Sequence, residues 1–175
     1  MTKRVFVNDK NHTVEWGTPT DLYNKLNEEF IFTLDAAASD CNHKASNYFT
    51  KEQNALIKPW SGRVFLNPPY GRRVSEWMNK AWSEVDIGNA ELVVCLVPVC
   101  CDTAWFHRYC FGLAAEIRFI EGRLRFNNTS SGIDRGPAPH TAGFPACLVI
   151  FRDHEGPVKI RTSDRSGNVA GYTFL

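Results

Sequence analysis

The segment Arg63-Val64-Phe65-Leu66-Asn67-Pro68-Pro69-Tyr70-Gly71 decides how this chain is read. Its apolar first half has the length and composition of a buried strand. Two prolines, with fixed φ angles and no amide hydrogens, end that strand after Asn67. Beyond Gly71 the apolar residues change period, and Val74, Trp77, Met78, Ala81, Trp82 and Val85 repeat at three and four as on an amphipathic helix. The segment is therefore a strand, a turn and a helix. A polar residue, two prolines and an aromatic sit at the strand's carboxyl end, where open α/β sheets build their ligand sites.

Working outward, Glu91 to Val97 is a nearly continuous apolar run, as expected for a strand covered on both faces. Ala115 to Ile120 and Ala146 to Phe151 read as further strands, and Leu124-Arg125-Phe126 alternates like one. Upstream, Leu22, Tyr23, Leu26 and Phe30 share helical spacing, with Thr18 or Thr20 able to cap and Pro19 near the first turn. Ile31 to Leu34 reads as a strand ending at Asp35, and a helix is expected to run to about Phe111. Residues 1–15 are polar and unpatterned, an expected flexible arm. The stretch at about 127–144 is rich in Gly, Pro, Ser and Asn, a long loop of the kind that is usually functional or disordered. The polar tail to Leu175 has room for a hairpin. Helix and strand alternate, which predicts one α/β domain over 16–175: a doubly wound, mostly parallel sheet with helices on both faces.

A chain of 175 residues with 43% apolar and 22% charged residues can bury a core and is not of disordered composition. The net charge of +1 neither points to nucleic acid nor excludes it. Six cysteines without a CxxC pair fit a reducing, cytoplasmic setting. The amino terminus lacks a signal-peptide core, and no apolar run approaches the roughly 20 residues of a membrane helix. The histidines and cysteines show no metal-ligand spacing, so no metal is expected.

The turn carries a specific chemistry. An exocyclic amino nitrogen is a poor nucleophile because its lone pair is delocalised into the ring. Two acceptors against its N–H bonds favour a tetrahedral nitrogen with an exposed lone pair. The Asn67 side-chain carbonyl is one such acceptor, and the Pro68 backbone carbonyl, held by the proline pair, is the other. Tyr70 offers a flat face for stacking a base. Such a site takes its base out of the duplex, at roughly a few kcal/mol. The plainer alternative is that Pro68-Pro69 ends a strand and Tyr70 covers the core. Alone, the four residues say amino-group methylation and leave adenine, cytosine and glutamine open. A donor site is expected upstream, where Asp35 precedes the small residues Ala36, Ala37, Ala38 and Ser39. Trp16, Thr18 and Pro19 are further candidates.

The order Trp16-Gly17-Thr18-Pro19, Leu34-Asp35-Ala36-Ala37-Ala38-Ser39, Phe65-Leu66-Asn67-Pro68-Pro69-Tyr70-Gly71 resembles the phage-type DNA N-6-adenine methyltransferases. The resemblance continues through Leu96-Val97-Pro98, Trp105-Phe106, Phe119 to Phe126 and Pro145 to Phe151. It implies a Rossmann-like methyltransferase domain, S-adenosylmethionine as donor and Asn67, Pro68, Pro69 and Tyr70 as the catalytic tetrad. It also implies that Thr18-Pro19 and the Asp35 loop hold the cofactor. Many donor sites have a glycine-rich turn where this chain has Ala36 to Ser39, and Asn54 stands where relatives often carry an acidic residue. Asn54 is an additional cofactor candidate. The expected partner is double-stranded DNA, in a bacterial host cytoplasm. Arg63, Arg72 and Arg73 flank the tetrad, and Arg118, Arg123, Arg125 and Arg135 cluster near the later turn and loop. Of these, Arg72, Arg73, Arg123, Arg125 and Arg135 are the expected DNA contacts. The same tetrapeptide serves enzymes that methylate RNA adenine or protein glutamine. A nucleic-acid-binding module with a decayed cofactor site is the rival from another class.

Overall fold

The computed structural model describes residues 16–129 and 135–174. The expected amino-terminal arm and residues 130–134 of the long loop lie outside them. The elements in chain order are β1 (Trp16–Gly17), α1 (Thr20–Phe30), β2 (Leu34–Asp35), β3 (Asn47–Tyr48), β4 (Gly62–Leu66), α2 (Val74–Asp86) and β5 (Ala90–Pro98). There follow a π-helical segment (Phe106–Phe111), β6 (Glu116–Ile120), β7 (Asn127–Asn128), β8 (Ala146–Arg152), β9 (Lys159–Ser163) and β10 (Val169–Phe174).

The main sheet has eight strands in the order β10-β9-β6-β8-β5-β4-β2-β3. From β3 to β5 every pairing is parallel, and β6 and β9 are also parallel. Strand β8 lies antiparallel between β5 and β6. The β9–β10 hairpin in the polar tail completes the sheet. A mixed, largely parallel α/β sheet covered on both faces is thus observed.

The period-two rule explains the two faces. Val93, Cys95, Val97, Cys147 and Val149 point to the side covered by Val74, Met78 and Ala81 of α2 and by Phe106 and Cys110. Phe65, Leu92, Val94, Leu96, Leu148 and Ile150 point to the side covered by Leu22, Tyr23, Leu26 and Phe30 of α1. Strand β5 carries apolar residues on both faces, hence its unbroken run.

Three local expectations change. Ile31 to Thr33 is not strand, because Ile31 takes a left-handed conformation (φ 52°) as the residue that closes α1. Its N–H goes to the Asn27 carbonyl, and the Asn27 side chain takes the Phe32 N–H. No side chain among the described residues caps the start of α1, where Pro19 holds the cap position with ψ 133°. Leu124-Arg125-Phe126 keeps its in-out alternation without a ladder. The Leu124 and Phe126 carbonyls accept instead from Ala142 and Ala138 across the loop.

Two arginines of the expected basic cluster are structural. Arg118 is buried at 2% exposure, binds both Glu29 oxygens at 2.6 Å, and donates Nε to Glu116 at 2.6 Å. It clamps the end of α1 to β6. Arg63 is paired with Glu91 and donates to the Phe30 carbonyl. Arg118→Met leaves Glu116, itself 1% exposed, with Arg152 and Arg161 at 3.5 Å as its remaining cations among the described residues. Stranding a buried charge in this way should cost about 3 kcal/mol, read as a lower urea midpoint at unchanged slope.

Candidate active site

Strands β2 and β4 are parallel neighbours, with Asp35 in register with Phe65. The Ala36 N–H donates to the Phe65 carbonyl at 2.9 Å, so the chain after Asp35 and the Asn67 turn leave the sheet side by side. This is the carboxyl edge on which the sequence placed the site.

Asn67 is fixed from its nitrogen. Its Nδ2 donates to the Trp16 carbonyl at 2.6 Å and to the Thr18 hydroxyl oxygen at 3.1 Å. A backbone carbonyl can only accept, so the amide NH₂ must face Trp16 and the amide oxygen must face away. That Oδ1 is buried and has no hydrogen-bond partner among the described residues. An unpaired buried acceptor costs roughly 1–3 kcal/mol, and such groups in native proteins call for a functional account. The adjacent Pro68 carbonyl likewise receives no hydrogen bond among the described residues. Two free acceptors therefore stand next to one another in the turn.

Trp16 is held in turn by a two-stranded ribbon, β1 with β7, pairing Trp16 with Asn128 and Gly17 with Asn127. A Cβ on Gly17 would lie 2.7 Å from Thr129 Cγ2, so only glycine lets the two segments close. Around Asn67 the rings form a wall. Trp16 meets Phe126 at 5.4 Å and Phe144 at 5.7 Å, and Tyr70 meets the same two rings edge-on at 6.0 and 5.5 Å. The Tyr70 hydroxyl donates to the Leu96 carbonyl at 3.2 Å, and its desolvation raises the phenol pKa well above the ordinary value. Phe144, at the end of the Gly- and Pro-rich loop, had no local pattern to mark it as part of this wall.

Asp35 is 3% exposed and organises the loop that follows. Its two oxygens accept the Ala37 N–H at 3.3 Å and the Lys44 N–H at 3.0 Å, and its carbonyl accepts the Phe49 N–H at 3.0 Å. Burial pushes the carboxyl up to about 6, against those two N–H donors. Burial, with the Asp35 charge second, pushes the Tyr23 phenol to about 12. Ser39 closes the loop, its N–H donating to the Asn42 side chain at 2.7 Å. Asn54 is exposed, in a left-handed conformation (φ 51°) at the start of a 3-10 turn.

The model of one protein family, DNA N-6-adenine-methyltransferase (Dam), matches residues 7–169. The chain belongs to that family. It is 35% identical over 121 residues to the DNA N-6-adenine-methyltransferase of Haemophilus phage HP1 (strain HP1c1), covering 67% of this chain and 68% of that protein. It is also 35% identical over 113 residues to the DNA N-6-adenine-methyltransferase of Escherichia phage T1, covering 62% of this chain and 45% of that protein.

In this Dam-family chain the expected catalytic residues and Trp16, Thr18 and the Asp35 loop gather at one sheet edge. The arginines divide. Arg73 pairs with Glu76 on the first turn of α2 at 2.8 Å, both partners exposed. Arg72, Arg123, Arg125 and Arg135 are exposed, with no ion pair among the described residues. No helix among the described residues is long and apolar enough to cross a membrane.

The raised Asp35 pKa has a definite sign. The folded state holds the proton more tightly than the unfolded chain, so ionisation between pH 4 and about 6 lowers stability. The wild type should lose up to about 3 kcal/mol relative to Asp35→Asn over that window, and nothing further above it. Urea unfolding of both proteins at pH 4, 5, 6 and 7 reads this difference. Parallel curves would show that burial does not perturb Asp35.

Proposed function

We propose that the protein transfers a methyl group from S-adenosylmethionine to N-6 of an adenine rotated out of duplex DNA. The observation that carries this reading is the buried Oδ1 of Asn67 beside the Pro68 carbonyl, both without a hydrogen-bond partner among the described residues. Both can accept from an amino group, and an amino group with two N–H bonds matches both. Stacking on Tyr70 would hold the ring while the two acceptors localise the nitrogen's lone pair. These acceptors are preorganised where charge develops, and each such contact is worth about a hundredfold or more in rate. Tyr70 stays neutral at physiological pH, so it serves as a stacking face and not as a base.

The residues at the sheet edge fit the donor. When bound, S-adenosylmethionine supplies an electrophilic methyl on a sulfonium centre. A carboxylate with a pKa of about 6 is ionised at neutral pH and suits a cationic ligand. Because both Asp35 oxygens already accept loop N–H groups, we assign Asp35 to shaping the Ala36, Ala37 and Ser39 backbone as well as to charge. Trp16 and Thr18 border the donor and orient Asn67, Pro19 extends that border, and Asn54 is a peripheral contact. Arg72, Arg73, Arg123, Arg125 and Arg135 are assigned to DNA phosphates. The exposed Arg73–Glu76 pair is screened by solvent and yields readily to a phosphate. Residues 16–175 act as one methyltransferase domain in a bacterial host cytoplasm.

Asn67→Ala should lose at least about a hundredfold in methyl transfer while keeping its melting temperature within a few degrees and its calorimetric affinity for the donor. The assay is transfer of labelled methyl to duplex DNA, followed by digestion and detection of N-6-methyladenine. Near-normal turnover in that variant would defeat the two-acceptor scheme. Label recovered in RNA or protein but not in DNA would overturn the substrate.

A further inference from the structure

A groove of about 900 Å³ lies beside the Asn67 site, between the start of α1, the segment after β6, and the turn of the β9–β10 hairpin. Arg123, Arg125 and Arg165 line it, and among the described residues the one carboxylate in its wall is Asp21. None of the three arginines makes a hydrogen bond or ion pair among the described residues. Elsewhere on the chain Arg63, Arg73, Arg118 and Arg152 each face a carboxylate. Three positive charges thus face one negative charge among the described residues of this concavity, an excess that favours entry of an anion.

The groove is built, not incidental. Gly122, at φ 79°, takes a left-handed turn that a side chain would strain, and it redirects the chain as β6 ends. The in-out alternation that follows buries Leu124 and Phe126 and turns Arg123 and Arg125 outward together. The Arg165 side chain crosses this turn, its Cδ 3.5 Å from where a Cβ on Gly122 would lie. The hairpin turn is itself rigid. Asp164 Oδ1 accepts the N–H groups of Ser166 and Asn168 at 2.9 Å, and Oδ2 accepts the Asn168 side chain at 2.8 Å. Gly167 seats the turn on Leu22 and Lys25 of α1, 3.2 and 3.4 Å from its would-be Cβ. Pro19, one residue beyond the Thr18 that holds Asn67, forms the near wall.

We infer that this groove is a phosphodiester clamp for the DNA strand next to the reacting base, and that Arg165 of the carboxyl-terminal hairpin is its third cation. Phosphate contacts fix register and carry no sequence information, which suits a cleft that adjoins the catalytic turn without entering it. The inference rests on the DNA reading above.

Duplex binding by Arg165→Gln, Arg123→Gln and Arg108→Gln, followed by fluorescence anisotropy across salt concentrations, tests it. Arg108 stacks on Tyr109 outside the groove. Each groove variant should flatten the slope of log K against log salt by about 0.9 and weaken all duplexes equally, while Arg165→Lys keeps the slope. Arg108→Gln should leave it unchanged. An unchanged slope in Arg165→Gln, or an equal loss in Arg108→Gln, overturns the clamp. Wild-type methylation of DNA, measured in parallel, keeps the two readings separate. Methylation with no slope change sinks the clamp alone. A slope change without methylation sinks the enzyme reading and leaves the clamp.

Discussion

The two hydrogen bonds from the Asn67 amide nitrogen, to the Trp16 carbonyl and the Thr18 hydroxyl, are the constraint on which the site depends. They join residues about fifty positions apart and settle which end of a symmetric-looking amide faces the cleft. An asparagine whose nitrogen were free could turn either way, and half its orientations would present donors to the amino group proposed as its ligand, which needs acceptors. The clamp removes that freedom before any ligand arrives. Its cost is an unpaired oxygen in a buried place, the kind of local expense that active sites carry and the surrounding fold offsets.

The surrounding fold supplies rigidity in layers. Strand β4 is held between β2 and β5, so the turn leaves the sheet from a fixed edge. The β1–β7 ribbon then brings Trp16 to the turn from outside the sheet, and Gly17 permits that approach. The wall of Trp16, Tyr70, Phe126 and Phe144 draws together four separate stretches of chain around one polar group. Aromatic contacts of this kind contribute of order 1 kcal/mol each beyond their buried area, enough to hold a small ribbon that could not stand alone. The β9–β10 turn, seated on α1, extends the same logic to the basic groove.

Much of this was legible locally. The β4 turn and α2, the doubly apolar β5, the β8 strand and the tail hairpin all follow from short-range period and composition. The strand expected at Ile31 to Thr33 failed because a helix end competed for the same backbone groups. The Leu124 to Phe126 alternation was real, but its carbonyls found a loop where a strand was expected. Charge was harder to read. In sequence Arg118 and Arg123 look alike, yet one is buried between two glutamates and the other opens into a groove.

The sequence by itself determined the α/β class and the family, and it singled out Asn67 to Tyr70 as the candidate tetrad, because strand period, proline geometry and a contiguous motif are properties of neighbouring residues. Only the tertiary structure decided that Asn67 presents its oxygen, that Asp35 shapes a loop, and that Arg165 joins Arg123 and Arg125. Each of those depends on a partner dozens of residues away, and hydrogen bonds and burial at that distance leave no periodic trace along the chain.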